Sequence, residues 1–401
     1  MKNVVVFDAG DVRDNLLPLT YTRPISHIRI GIDTIFEKWQ ALMPDAALSP
    51  LTVPYLQKKY ATVFSPDDDN FFVAGHVIPS KELAVAALAL NRGEAIVADD
   101  TLLAFRGSKA DFEKRNYAST TAFHGSVKKI FWLYDIFMMN GEVMLDDFRR
   151  ITAGRISQPL SSTNLVIGNP TFDDGSPRIF IEEGATVEGV TLNVTAGPIY
   201  IGRDATIMEG SCIRAPFAAC THSQVNMCTK IYGATTLGPY CKVGGELNNV
   251  VMIGYSNKAH DGFLGNAVIG EWCNLGGGTT ASNLKSDYSE IKLWNYPAHR
   301  FLRTGLQFCG LIMGDHSKAG INCMFNTATV VGVGVNFHGT GFPRQFIPSF
   351  QNGSPEAGFS DVSIDTFMQI ASRVMSRRGL ELTDIDRKIF EHIHKYASKF
   401  K

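Results

Sequence analysis

From about residue 179 onward, short aliphatic side chains recur at every sixth position, usually followed by glycine or another small residue, and no helical period survives. Counting in sixes from Ile201 reaches Ile207, Ile213, Ala219, Val225, Ile231, Leu237 and Val243, an unbroken apolar series. Further pieces follow in shifted registers at Ile269 and Leu275, then at Ile321 and Val333. One inward aliphatic side chain per short strand, with small residues at the bends, builds a three-sided coil whose stacked turns bury a continuous core. Ordinary antiparallel strands would alternate with period two and break at turn signals about every 8–12 residues. The pattern therefore predicts a left-handed parallel β-helix of hexapeptide repeats over residues 151–350.

Ahead of the coil the pattern is mixed. Strand-like runs at Asn3–Phe7, Phe71–Val73 and Ala95–Val97 alternate with helical stretches at Ile30–Leu42 and Lys81–Asn91, which predicts an α/β, Rossmann-like domain over residues 1–150. Phe131–Phe137 with Asn140-Gly141 reads as a connecting segment. Inside the coil the hexads break twice: Gly254–Phe263 is polar and irregular, and Thr279 to about Gln307 is a longer loop carrying Asn283, Lys285, Trp294 and Arg303. Long insertions in a solenoid are usually functional. In the tail, residues 351–401, the part from Ser363 onward reads as two amphipathic helices split near Gly379, a cap on the coil.

Composition narrows the function. At 401 residues the chain exceeds one core, given roughly 150 residues per domain. With 45% hydrophobic and 19% charged residues it is globular, and 38 basic against 39 acidic residues, without a long run of either, argue against a nucleic-acid partner. The opening run Val4–Phe7 is too short for a signal peptide or a membrane span, so a cytoplasmic protein with no membrane partner is expected. Its 7 cysteines lie between Cys212 and Cys323 without a CxxC pair, as buried thiols in a reducing compartment do.

Acyl transfer to an amine needs a general base near neutral pKa, a donor for the developing oxyanion and a slot for the thioester carrier. His260, in the first polar break, is the best base available, although a lone histidine is more often structural. Glu246, fourteen positions earlier, is placed to orient its imidazole if successive coils stack them together. Zinc chemistry of the γ-carbonic-anhydrase kind is the rival use of such a coil and requires three converging histidines. His222 and His260 have no close third partner, and His316 and His338 stand alone.

The run Ile253–Gly270 (IGYSNKAHDGFLGNAVIG), followed by Asn274–Asn283 (NLGGGTTASN), resembles the acetyltransferase half of the GlmU family. Those bifunctional enzymes acetylate glucosamine-1-phosphate and join the product to UTP on the way to UDP-N-acetylglucosamine. The resemblance implies that His260 is the base, Glu246 its support and Asn283 a substrate contact, with Phe263 where the family has a tyrosine. Lys230, and Lys258 as a local substitute, stand for the basic pair that grips the sugar phosphate. A backbone N–H near the Gly276–Gly278 hexad would hold the oxyanion, with Gly277 beside acetyl-CoA, whose phosphates fall to Lys318 and Arg344. It also implies a homotrimer, with acetyl-CoA bound between subunits.

The segment Val4–Pro24 (VVVFDAGDVRDNLLPLTYTRP) resembles the opening of sugar nucleotidyltransferases, where a Gly-rich turn cradles the triphosphate. That makes Gly10, Arg13 and Arg23 nucleotide contacts, while Val12 and Asn15 depart from the family's pattern. His76, in the run Phe71–Pro79, stands where those enzymes hold Mg²⁺ with an aspartate, leaving Asp99, or its neighbour Asp100, as the substitute metal ligand if this domain is active. A shortened nucleotidyltransferase-like domain fused to a well-matched coil resembles the divergent, Bacteroidetes-type GlmU-like proteins. The expected function is N-acetylation of a hexosamine-1-phosphate, with nucleotidyl transfer as a possible second activity. Two alternatives stay open: a nucleotidyltransferase with the coil as trimerising scaffold, and a catalytically silent nucleotide-sugar-binding protein.

Overall fold

The computed structural model describes residues 2–401, which form two compact units. One comprises the chain up to Leu16, Thr22–Ile28 and Asp33–Trp132; the other comprises Leu17–Tyr21, Arg29–Ile32 and Leu133–Lys401.

The first unit is a six-stranded sheet in the order Ala46–Leu51, Lys2–Phe7, Asn70–Ala74, Thr101–Gly107, Glu94–Ala98, Ser119–Ala122. The first three strands are mutually parallel, as consecutive buried residues such as Val4, Val5 and Val6 demand of a strand covered on both faces. Thr101–Gly107 runs antiparallel to both of its neighbours. The helix expected over Ile30–Leu42 covers only Ile35–Leu42, because Thr34 and Glu37 form a capping box that starts it there. The second expected helix is present as Lys81–Ala89 behind a Ser80 cap.

The second unit is the left-handed parallel β-helix of hexapeptide type, followed by a helical tail. Its three faces are marked by successive strands: Lys230–Tyr232 on face A, Thr235–Leu237 on face B and Lys242–Val243 on face C. Each pairs in parallel register with the strand one coil on, to Glu246–Asn248, Val251–Met252 and Asn257–Lys258 respectively. All eight residues of the series from Ile201 to Val243 point inward and are at most 1% exposed. The inward set then continues through Leu247, Met252, Lys258, Leu264, Ile269, Leu275 and Ala281, losing two residues of phase on entering face A at Leu247 and one at each later step from face A to face B. After the insertion it resumes in sixes as Met313, Ala319, Phe325, Val331 and Phe337. Ile321, expected inward, is instead 75% exposed at a corner, while Val333 is buried.

Face B is apolar on its outer side as well, and the helix Asp135–Thr152 covers it, with Met144 and Phe148 against Phe180 and Ala218. The stretch expected to be a connecting segment is thus partly helical. Gly141 lets this helix approach the coil: a Cβ there would lie 3.0 Å from that of Ala234. Asn140 accepts from Gly31 N at 2.7 Å and donates to Ala234 O at 2.9 Å, and Asp147 accepts from Ile32 N at 2.8 Å, stitching residues 29–32 to the coil. Consequently the compact units divide at Trp132/Leu133, whereas the boundary expected near residue 150 falls at this helix's far end.

At the corner between faces B and C, His222, Tyr240, Tyr255, Trp272 and His316 all adopt left-handed φ, which stacks their rings into a ladder with Tyr255 and Trp272 at 4.3 Å. The tail forms the two expected helices, Ile364–Ser376 and Asp384–Ala397, parted by Gly379 at φ +68°. Phe367 fastens them to the coil, 5.0 Å from Phe350 and 4.8 Å from Phe390, over the bare backbone of Gly334. The long insertion carries an antiparallel hairpin, Lys292–Asn295 with Arg300–Arg303. Among the described residues no helix is long and apolar enough to cross a membrane.

Candidate functional site

Face A is the open polar side of the coil, and its strands set the site. Because Ile231, Leu247 and Leu264 point inward, the residues before them point outward, and register stacks Lys230 on Glu246 and Glu246 on Phe263. Neighbouring strands lie about 4.8 Å apart, so these three side chains form one row. Beside it Gly265 is bare: a Cβ there would collide with the Asn283 amide and lie 2.7 Å from Phe263 Cζ. The Asn283 amide donates to Asn266 Oδ1 at 2.8 Å, which fixes its plane. Glu246, Phe263 and Asn283 therefore share one patch, flanked by Lys230.

His260 stands at the corner by which the chain enters this face from face C, and its ring is exposed. Its turn is held from inside. Lys258 occupies an inward hexad position with no exposed surface, and its ammonium donates to the carbonyls of Gly244 (3.3 Å), Asp261 (2.9 Å) and His260. Burial lowers its pKa to about 8. Next to His260, on the following coil, comes Gly277, where a Cβ would lie 3.5 Å from His260 Cβ. The Gly277 carbonyl accepts from Asn322 N at 2.7 Å, but its own N–H has no protein acceptor. An exposed imidazole, a bare backbone and an unpaired N–H thus lie together at the edge of the polar patch.

Several expected contacts are not made. Glu246 and His260 share no hydrogen bond or ion pair within 4 Å among the described residues. The reason is register: Glu246 lies beside Phe263, seventeen residues on, which leaves His260 three residues short of that pairing and around the corner. Lys258 is no phosphate ligand, since its charge is spent inside the prism. Lys318 and Arg344 do not bracket one nucleotide. Lys318 lies on face C beneath the helix Ile364–Ser376, whereas Arg344 lines a separate cavity of about 830 Å³ beside the inserted hairpin.

In the first unit Gly10 opens the short helix Gly10–Asn15 and nothing crowds it. Asp8 just before it is buried, accepting from Thr52 Oγ1 at 2.6 Å and Ile25 N at 2.9 Å, and burial raises its pKa to about 6. Arg13 is also buried and committed to protein partners, donating to Tyr55 Oη at 2.7 Å and lying 4.0 Å from Asp8. Arg23 is only 2% exposed; burial first, and then the Arg23 charge, hold the nearby His27 neutral. His76 is 3% exposed, and burial lowers its pKa to about 4. Asp99 sits with φ +48° in the exposed hairpin turn after Glu94–Ala98, so turn geometry accounts for it. Among the described residues no group of three His, Cys, Asp or Glu is placed to hold a metal ion. The donor set at this end of the sheet does not fit Mg²⁺.

Sequence reasoning passed over the ring ladder, Lys242, Arg377 and Arg378. The ladder's signal was an aromatic or histidine once per coil at 222, 240, 255, 272 and 316, a spacing that the phase slips and the insertion disguise.

Comparison with known proteins agrees with the reading of the N-terminal part. Residues 4–156 match a family model described as sugar nucleotidyl transferase. The bifunctional protein GlmU of Synechococcus elongatus is 23% identical over 213 residues, which cover 49% of this chain and 43% of that one. A bifunctional sugar-1-phosphate nucleotidylyltransferase/acetyltransferase of Sulfurisphaera tokodaii is 29% identical over 128 residues, 31% of each chain. The matched region thus spans less than half the length of these curated relatives. Among solved structures, a hexapeptide transferase family protein from Anaplasma phagocytophilum aligns with 60% of this chain and 91% of its own, at 12% identity and a TM-score of 0.23. A variant of AntD, an N-acyltransferase from Bacillus cereus in complex with dTDP-4-amino-4,6-dideoxyglucose and coenzyme A, aligns with 55% of this chain and 100% of its own, at 13% identity and a TM-score of 0.24. Scores that low bear on nothing further; the coil is established by its own strand registers. The resemblance to the GlmU family is borne out.

Proposed function

We propose that the coil N-acetylates a hexosamine-1-phosphate with acetyl-CoA, and that His260 is the general base. The observation that carries this reading is the pairing of an exposed imidazole with the bare Gly277 and its unpaired N–H at the edge of the Glu246–Phe263–Asn283 patch. A sugar lying on that patch brings its amine to the corner. His260 accepts the amine's proton as nitrogen attacks the thioester carbonyl, the Gly277 N–H takes the oxyanion, and collapse of the tetrahedral species breaks the C–S bond. The imidazolium then returns the proton to the departing thiolate. Lys230 takes the sugar phosphate. Glu246, being out of reach of the imidazole, holds the sugar instead of orienting the base. The functional assembly is a cytoplasmic homotrimer, in which a neighbouring coil closes the acetyl-CoA slot.

For the first unit the reading is nucleotide-sugar binding without metal-dependent transfer. The match of residues 4–156 to sugar nucleotidyl transferases supports the binding. Arg13 committed to Asp8 and Tyr55, and a neutral buried His76, speak against the transfer.

The test is to incubate the protein with acetyl-CoA and a panel of amino sugar phosphates, with and without UTP and Mg²⁺, and to weigh the products. An N-acetylated sugar phosphate without pyrophosphate release is expected. Pyrophosphate release without any acetylated product would replace this reading with the scaffold alternative.

A further inference from the structure

Between face C and the end of the helix Ile364–Ser376 lies a cavity of about 440 Å³ into which four cationic side chains converge: Lys242 and Lys318 from the coil, Arg377 and Arg378 from the tail. No carboxylate lines it. Among the described residues none of the four is ion-paired within 4 Å. Arg378 is aimed by the Tyr240 carbonyl and Asn257 Oδ1, both at 3.4 Å, and Lys318 has only the His316 carbonyl, at 2.9 Å. Burial lowers the pKa of Lys318, the cost of a desolvated charge without a counter-ion.

Four like charges around one small cavity repel each other, and an anion of more than one charge relieves that repulsion most fully. Two guanidinium forks beside two point charges match phosphate oxygens better than a single carboxylate. One wall is aromatic, formed by the edges of Tyr255 and Trp272, whose faces are stacked within the ring ladder. Asn257 and Asn274, stacked on successive coils of face C, supply neutral donors.

We propose that this cavity binds the phosphate groups of a nucleotide, and that the C-terminal tail exists in part to complete it. Two sources share that chemistry: a free nucleotide, and the nucleotide end of an acyl carrier reaching along face C from the corner at Ala259 and His260. The first source is independent of the acyl-transfer reading and the second rests on it; binding measured without turnover separates failure of this site from failure of that reading.

The experiment is calorimetric titration of the full chain with inorganic pyrophosphate, UDP and adenosine 3′,5′-bisphosphate, for the parent and the paired substitution Arg377→Ala/Arg378→Ala. Lys318→Met serves as a second variant, and circular dichroism checks folding. Binding of at least one probe that weakens tenfold or more in either folded variant supports the site. A preference for the bisphosphate identifies the carrier as source, and a preference for UDP identifies a free nucleotide. Absence of binding by all three, or equal binding by parent and both variants, overturns the proposal.

Discussion

The ring of His260 lies against Gly277: a Cβ at that glycine would sit 3.5 Å from His260 Cβ and 4.0 Å from Cδ2. Glycine is not needed there for its backbone, since Gly278 and not Gly277 carries the left-handed φ of the turn. What the missing side chain provides is room beside the imidazole. Gly277→Val should therefore fold normally while raising KM for acetyl-CoA roughly 10-fold or more, with KM for the amino sugar nearly unchanged. Steady-state kinetics with each substrate varied in turn would show this split; an equal rise in both constants would place the slot elsewhere.

Glu246 has no contact with His260, so its removal should not disturb the base. In Glu246→Gln the pH dependence of kcat should keep the parent's inflection, and the loss should appear chiefly as a higher KM for the sugar phosphate. A displaced inflection would mean that carboxylate and imidazole meet during turnover.

The coil was legible because its core repeats in one phase from Ile201 to Val243, where one aliphatic residue per hexad points inward. It became hard to follow where two physical events coincide. The coil loses two residues between Val243 and Leu247 and one more before Met252, and the next inward position is filled by Lys258, a lysine that reaches the core by donating to three carbonyls. A hydrophobic count cannot register a buried lysine, so the stretch read as a polar excursion with Lys258 on its surface. A coil of nearly three hexads also sets Glu246 beside Phe263, seventeen residues on, so His260 at fourteen falls short of it. In the first unit the strands were legible as apolar runs, but sequence carries no sign that Arg13 would be held by Asp8 and Tyr55.

Tyr255 stacks on Tyr240 at 5.1 Å and on Trp272 at 4.3 Å. Aromatic pairs of this kind contribute about 0.5–1.5 kcal/mol each beyond the area they bury. Tyr255→Ala should therefore lower the stability of the coil by about 1–3 kcal/mol, read as a lower denaturant midpoint. An unchanged midpoint would show that the ladder is ornamental to folding.

His76 is held neutral by burial, its pKa lowered from 6.5 to about 4. Between those values the unfolded chain binds a proton that the folded chain does not, so this residue's contribution to stability falls as pH drops from 6.5 towards 4. Asp8, raised from 3.8 to about 6, acts with the opposite sign, so the comparison must be between variants. His76→Asn should lose less stability than the parent on moving from about pH 7 to about pH 5 in urea denaturation. Parallel losses in both proteins would mean that His76 titrates normally.

The central claim is that the exposed imidazole at the corner of face A removes the proton from the attacking amine. Its most direct test is thiol release from acetyl-CoA in the presence of glucosamine-1-phosphate, followed for the parent and for His260→Ala at matched secondary structure. A fall of roughly 10²–10⁴-fold in kcat is predicted. Turnover by His260→Ala within a few-fold of the parent would contradict it.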